Sequence, residues 1–172
     1  MKRGLPTAIL AATLMSNSVS AAPVDGRYQT LGKGACRMLD FAPRSDPDEG
    51  GGDFVLYRCG GVESVPIWML YQDSSHLGIG FGSRRNTHGH FGIDRNGRWP
   101  LEWRGATSGG RFRPFAVILR VGVYDGGKDG FRPRLVVFAL TRDGSGSCLI
   151  GEARDGVQAR AMADAVAERR CG

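Results

Sequence analysis

Leu77, Ile79 and Phe81 alternate with His76, Gly78 and Gly80, and this period of two is the clearest strand signal along the chain. Just before it, residues 66–72 carry Ile67, Trp68, Met69, Leu70 and Tyr71, an apolar segment with strong β bias that a turn at Asp73, Ser74 and Ser75 ends. Farther on, Trp99, Leu101 and Trp103 share one face of an extended stretch, with Glu102 and Arg104 on the other, as a half-buried strand requires. The longest apolar run, 115–124, is rich in β-branched residues, and a glycine-rich loop at 125–130 leads to a partner segment at 135–140. Together they predict a central hairpin buried on both faces except near Arg120. A first strand near 35–39 and a second at 54–59 flank the polar loop 46–53, and a last strand is expected at 147–151.

Helical signals are confined to the end of the chain. Asp155 is placed to cap, Gln158 stands three residues later, and alanine-rich sequence runs on to Cys171, with Ala161, Met162, Ala165 and Val166 as an apolar stripe. The pattern predicts an α+β domain, a mostly antiparallel sheet of about six to eight strands packed on one side by one C-terminal helix.

The first residues read differently from the rest. Lys2 and Arg3 precede an apolar stretch at 5–15 and a small-residue site at Val19, Ser20 and Ala21, so residues 1–21 are expected to be a signal peptide. The remainder, 22–172, has 172 − 21 = 151 residues, a suitable length for a single exported domain. No later stretch approaches the roughly 20 apolar residues of a spanning helix. A periplasmic or secreted location is therefore expected, with no membrane-spanning segment in the mature chain.

Export gives the four cysteines their meaning. Cys36 and Cys59 lie 59 − 36 = 23 residues apart, as do Cys148 and Cys171, at 171 − 148 = 23. Two disulfides are expected, Cys36 with Cys59 and Cys148 with Cys171, although four cysteines formally permit three connectivities. Pairing the strands at 35–39 and 54–59 as a wide hairpin sets Cys36 beside Cys59. No Cys-x-x-Cys is present to favour zinc or thiol-redox chemistry.

Charge is uneven. Removing Lys2 and Arg3 leaves 21 basic against 17 acidic residues, a net +4, while residues 84–142 carry twelve Lys or Arg against Asp94, Glu102, Asp125 and Asp129. Within that basic middle, arginines and aromatics interleave, and Arg98, Arg104, Arg111, Arg113, Trp99 and Trp103 form a candidate surface for an anionic polymer. The competing reading puts the aromatics in the core and the arginines on the opposite strand face. Arginine abundance would then reflect composition, since only Lys33 and Lys128 are lysines after residue 21.

Catalytic and metal motifs are sparse. His88 and His90 are two apart, but the basic, glycine-containing neighbourhood from Arg84 to Gly89 reads as a loop, which argues against a metal. The acidic loop 46–53 misses the calcium-loop register, having Gly50 at the fifth position and Tyr57 at the twelfth. Asp94 and Asn96 fail likewise at Arg98. No Gly-x-Ser-x-Gly occurs. Glu102 is the acid embedded among aromatics, and it reads either as a structural ion-pair partner or as the carboxylate of a hydrolase working with a histidine. No catalytic residue, metal ligand or cofactor is assigned.

Tyr57-Arg58-Cys59-Gly60-Gly61, Leu101-Glu102-Trp103-Arg104, Pro114-Phe115-Ala116-Val117-Ile118-Leu119-Arg120 and Cys148 give a chain that resembles small exported hypothetical proteins of Gram-negative bacteria. The resemblance runs over most of the mature chain and implies a shared fold and compartment. That group has no established activity, so no catalytic residues are carried across. The leading expectation is a non-catalytic binding module for an anionic envelope polymer, a nucleic acid or a protein partner, the last including a hydrolase to be inhibited. An envelope hydrolase using Glu102 with a histidine, and a structural or stress-related periplasmic protein, are the alternatives.

Overall fold

The computed structural model describes residues 23–42, 54–72, 76–83, 85–92, 99–124, 131–167 and 171. The expected signal peptide, the acidic loop, the turn at 73–75, Asp94, Asn96, Arg98 and the glycine-rich loop lie outside the described residues. In chain order the strands are β1 (Val24–Leu31), β2 (Cys36–Ala42), β3 (Phe54–Gly60), β4 (Pro66–Gln72), β5 (His76–Phe81), β6 (His88–Gly92), β7 (Trp99–Ser108), β8 (Arg111–Tyr124), β9 (Phe131–Leu140) and β10 (Ser147–Ala153). Short 3-10 turns precede β2 and β4, at Lys33–Ala35 and Val62–Ser64, and one α-helix, α1 (Gly156–Ala165), follows β10.

All strand pairs are antiparallel. The long strand β8 organises them. Its first part pairs with β7 and its second with β9, and Gly122 meets Gly92 of β6, which leads on through β5, β4 and β3 to β2. The result is one sheet bent over on itself, because apolar residues of β4 and β5 (Ile67, Met69, Leu77, Ile79, Phe81) share a core with those of β7, β8 and β9 (Leu101, Trp103, Val117, Leu119, Val136, Phe138). Phe81 is the centre of that core: its ring meets Trp103 edge-on at 5.6 Å and Phe138 at 5.2 Å.

Polar bonds close both seams. On one side the Phe81 amide donates to Ser147 Oγ at 3.0 Å, and the Ser83 amide donates to the Gly144 carbonyl at 3.1 Å. On the other, Gln29 Nε2 donates to the Gly60 carbonyl at 2.7 Å, and Arg27 reaches Glu63 at 2.9 Å.

The described sheet has ten strands rather than six to eight. The two that the pattern missed are β1 and β6. Along β1 the inward positions include Arg27 and Gln29, which are satisfied by long-range hydrogen bonds instead of burial of apolar groups, so no alternation of hydrophobic residues marks them. In β6, read as a loop from its sequence, Gly89 has φ +78 and the register against β5 shifts between Leu77 and Ile79. Such a bulged strand has no regular period.

Helix α1 packs on the outer face of the sheet. Asp155 caps it, accepting from the Gln158 amide at 2.8 Å, while Gln158 Oε1 accepts from the Arg154 amide at 3.0 Å. The helix stops at Ala165 and does not reach Cys171. Its buried row is Ala159 and Ala163, with Val166 beyond the end and Met162 half-buried, not the stripe through Ala161 and Ala165. These small side chains let the helix lie close on Phe115, Ala116, Ile118, Val137 and Ala153, and they leave Arg160 and Asp164 to face the polar part of the sheet.

Candidate functional site

The basic aromatic set divides between different parts of the molecule. Trp103 is fully buried, and its indole N–H donates to Gln29 Oε1 at 3.0 Å. Arg104, on the opposite face of β7, is bound in a fork to Asp164 of α1, with Nε and one terminal nitrogen each 2.9 Å from a carboxylate oxygen. Arg111 and Arg113 are exposed on β8 beside the turn made by Gly109 and Gly110, opposite Ser108 and Ala106. Among the described residues neither has an acidic partner. Between them Phe112 points into the core, where the Arg27 guanidinium stacks over its ring at 4.3 Å. Arg98 lies outside the described residues, and of Trp99 only the strand position is described.

Glu102 belongs to the same outer face as Arg104. Its carboxylate receives Arg160 Nε at 2.8 and 3.1 Å on its two oxygens, and Arg104 at 3.3 Å. Arg160 also donates to the Tyr28 hydroxyl at 3.1 Å. Sheet and helix are thus laced by a chain of alternating charges, Asp164, Arg104, Glu102 and Arg160. The hydrogen bond to Asp164 raises Arg104 above the usual guanidinium range, and the hydrogen bond to Glu102 raises Arg160. Both cations stay charged at any pH at which the protein folds.

The histidines lie in the other half of the sheet. His76 and His90 meet edge-on with ring centres 6.2 Å apart, and His88 Nε2 donates to the Ser147 carbonyl at 2.7 Å. Among the described residues no cluster of three metal-ligating side chains exists.

Cys36 and Cys59 form a disulfide, at directly paired positions of β2 and β3 with Cα atoms 4.1 Å apart. Cys148 and Cys171 are not bonded in this structure. They lie next to each other, and Cys171 Sγ lies 3.4 Å from the Ala139 carbonyl. One disulfide therefore stands where two were expected. Cys171 lies against β9 at Ala139, the residue paired with Cys148. Partial burial, followed by the hydrogen bond and the charge of Cys171, pushes the Cys148 thiol up to about 12.

Sequence reasoning missed one arrangement of cations. Arg37 and Arg58 are directly paired across β2 and β3, next to the disulfide, and both are exposed. They line a cleft of about 310 Å³ together with Leu39, Gly60, Ser64 and Pro66. The signal for it was present, since each arginine adjoins a cysteine of the expected hairpin disulfide. Setting Cys36 opposite Cys59 sets Arg37 opposite Arg58. No protein-family model, no curated protein and no solved structure matches this chain.

Proposed function

We propose that this chain is an exported, non-catalytic binding module, periplasmic or secreted, whose partner is an anionic polymer. The observation that carries the reading is the pair Arg111 and Arg113, held on the exposed face of the β7–β8 hairpin with no carboxylate among the described residues to neutralise them. Trp103 and Arg104 take structural roles and drop out of the surface, whereas a rigid hairpin presenting two guanidinium groups suits a chain of repeating negative charge. The placement of Glu102 argues against a hydrolase that uses this carboxylate with a histidine. Two guanidinium groups occupy its carboxylate, and the three histidines lie on β5 and β6, away from β7.

Retention on a heparin column tests the reading. The native chain elutes at a salt concentration that falls markedly in an R111S/R113S variant, because each lost phosphate or sulfate contact flattens the salt dependence. Unchanged elution rejects the hairpin as the binding surface.

An oxidising compartment converts the facing thiols Cys148 and Cys171 into a second disulfide. Mass measurement of the protein purified from its native compartment should show a chain starting after residue 21 and four hydrogens lighter than the fully reduced form. In the reduced protein the Cys148 thiol is favoured by folding. That stability is complete below the unfolded thiol range, near pH 9, and drains away as pH rises towards about 12. Alkylation of native protein at pH 8 is accordingly slow at Cys148 and fast only after unfolding. Two free thiols in natively purified protein would overturn the second staple.

A further inference from the structure

We propose that the cleft beside the Cys36–Cys59 disulfide is a second binding site, specific for a doubly charged tetrahedral oxyanion of the phosphoryl type, held between Arg37 and Arg58.

Cross-strand neighbours set the argument. Cys36 and Cys59, with Cα atoms 4.1 Å apart, form the closer kind of antiparallel pair, so Arg37 and Arg58 next to them form the hydrogen-bonded kind, with Cα atoms about 5.5 Å apart and side chains on the same face. Like charges directly opposite one another destabilise a sheet. Here the register cannot slip to relieve them, because the covalent bridge clamps the adjacent pair.

Nothing among the described residues neutralises either arginine. Two described acids on neighbouring elements are engaged elsewhere. Asp40, on β2, is bound by Arg85 at 3.1 Å, and Glu63, in the turn before β4, is bound by Arg27 at 2.9 Å. Two guanidinium groups on one face beside a cleft can both turn their donors to the same negative ligand.

Three further features shape the site. Arg58 also sits directly opposite Trp68 of β4, whose ring lies 5.8 Å from the guanidinium carbon, so that side chain is steered before any ligand arrives. The cleft, at about 310 Å³, falls at the small end of ligand pockets and admits a phosphoryl group with a short substituent. Its wall includes Ser64, and both Glu63 (φ 53) and Ser64 (φ 62) are held in the left-handed region that non-glycine residues seldom adopt. Backbone strain of this kind clusters where a loop is shaped for a ligand.

The ligand class follows from the charge count. Two planar guanidinium forks present two positive charges and more donors than a single carboxylate has oxygens to accept. A phosphate dianion offers three oxygens and two charges.

Inorganic phosphate, titrated into the oxidised full-length domain at constant ionic strength and followed by amide NMR, is the direct test. Saturable shifts are expected at Gly60 and Ser64. Affinity falls about tenfold or more for each arginine removed, as the loss of charge-assisted hydrogen bonds implies, in R37Q, R58Q and the double variant. Without phosphate R37Q unfolds at the same or a higher temperature than the native chain, since the repulsion is gone, and this separates a ligand site from a merely structural arginine. Vesicles containing phosphatidic acid, whose headgroup is a phosphomonoester, form a second arm: binding there together with free phosphate assigns a headgroup, and binding of free phosphate alone assigns a soluble ester. The R111S/R113S chain keeps its phosphate affinity, so failure here and failure of the polymer reading are distinguishable. Absence of saturable shifts, or shifts that survive in the double variant, overturns the proposal.

Discussion

Trp103→Ala should destabilise the folded domain by about 3 to 5 kcal/mol, the range for removing a large buried aromatic. Trp103 is wholly inaccessible, packs edge-on against Phe81, and lies so close to Gly61 that a Cβ there would meet the indole carbons at 2.6 and 2.7 Å. Its loss opens a cavity where both halves of the bent sheet meet. The Gln29 side chain is left with an unpaired acceptor, although it keeps its bond to Gly60. Trp103→Phe separates the two contributions, because it retains most of the packing and loses the indole N–H; a cost of about 1 to 3 kcal/mol is expected for the stranded partner and the smaller ring. Urea unfolding measures both. A lower midpoint with an unchanged slope is the expected form of the result, and an Ala variant within about 1 kcal/mol of the native chain would show that this ring does not anchor the core.

Breaking the hairpin staple is the second large effect. In C36A/C59A the loop between the two positions, separated by 23 residues, is released in the unfolded chain, and the chain-entropy model puts the loss at about 3 kcal/mol. That is a large share of an ordinary domain's stability of about 5 to 15 kcal/mol. The Cys59 site is also buried, so some packing goes with it. Comparison with C148A/C171A, on protein kept under the same oxidising conditions, tells whether the second pair contributes in the same way. Equal losses mean that both pairs are bridged. A C36A/C59A midpoint indistinguishable from the native one would exclude the staple from any role in stability.

Much of the sheet was legible because its strands obey local rules. The alternation of Leu77, Ile79 and Phe81 gave β5 its inward face, the segment 66–72 coincides with β4, and the apolar run ending at Tyr124 pairs with β9 as the central hairpin. Asp155 caps α1 as its position suggested. The expected hairpin disulfide formed because its two strands pair in register. The failures have a common cause. In β1 the inward positions before Leu31 include the polar Arg27 and Gln29, and in β6 the period is broken by a bulge, so tertiary bonds rather than side-chain pattern mark those strands. The helix register slipped by comparison with the apolar stripe since, in an alanine-rich stretch, hydrophobicity hardly distinguishes one face from another. Pairing of Arg160 and Asp164 with β7 does.

The candidate sites show the same division more sharply. Counting arginines between aromatics could not tell which were free, and Arg104 proved to be bound to an acid 60 residues away while Glu102 found a partner 58 residues away. What the sequence determined by itself was the alternation of faces, the cap of the helix and the cysteine spacing, because each depends on residues near one another in the chain or on a covalent rule. Which cations remain exposed, that Cys171 comes to rest beside Cys148, and that Arg37 and Arg58 share a cleft were decided only by folding. Those outcomes depend on how the sheet bends and in what register distant strands meet, and the energy that selects them comes from burying Phe81, Trp103 and Phe138 together, to which the polar side chains then conform.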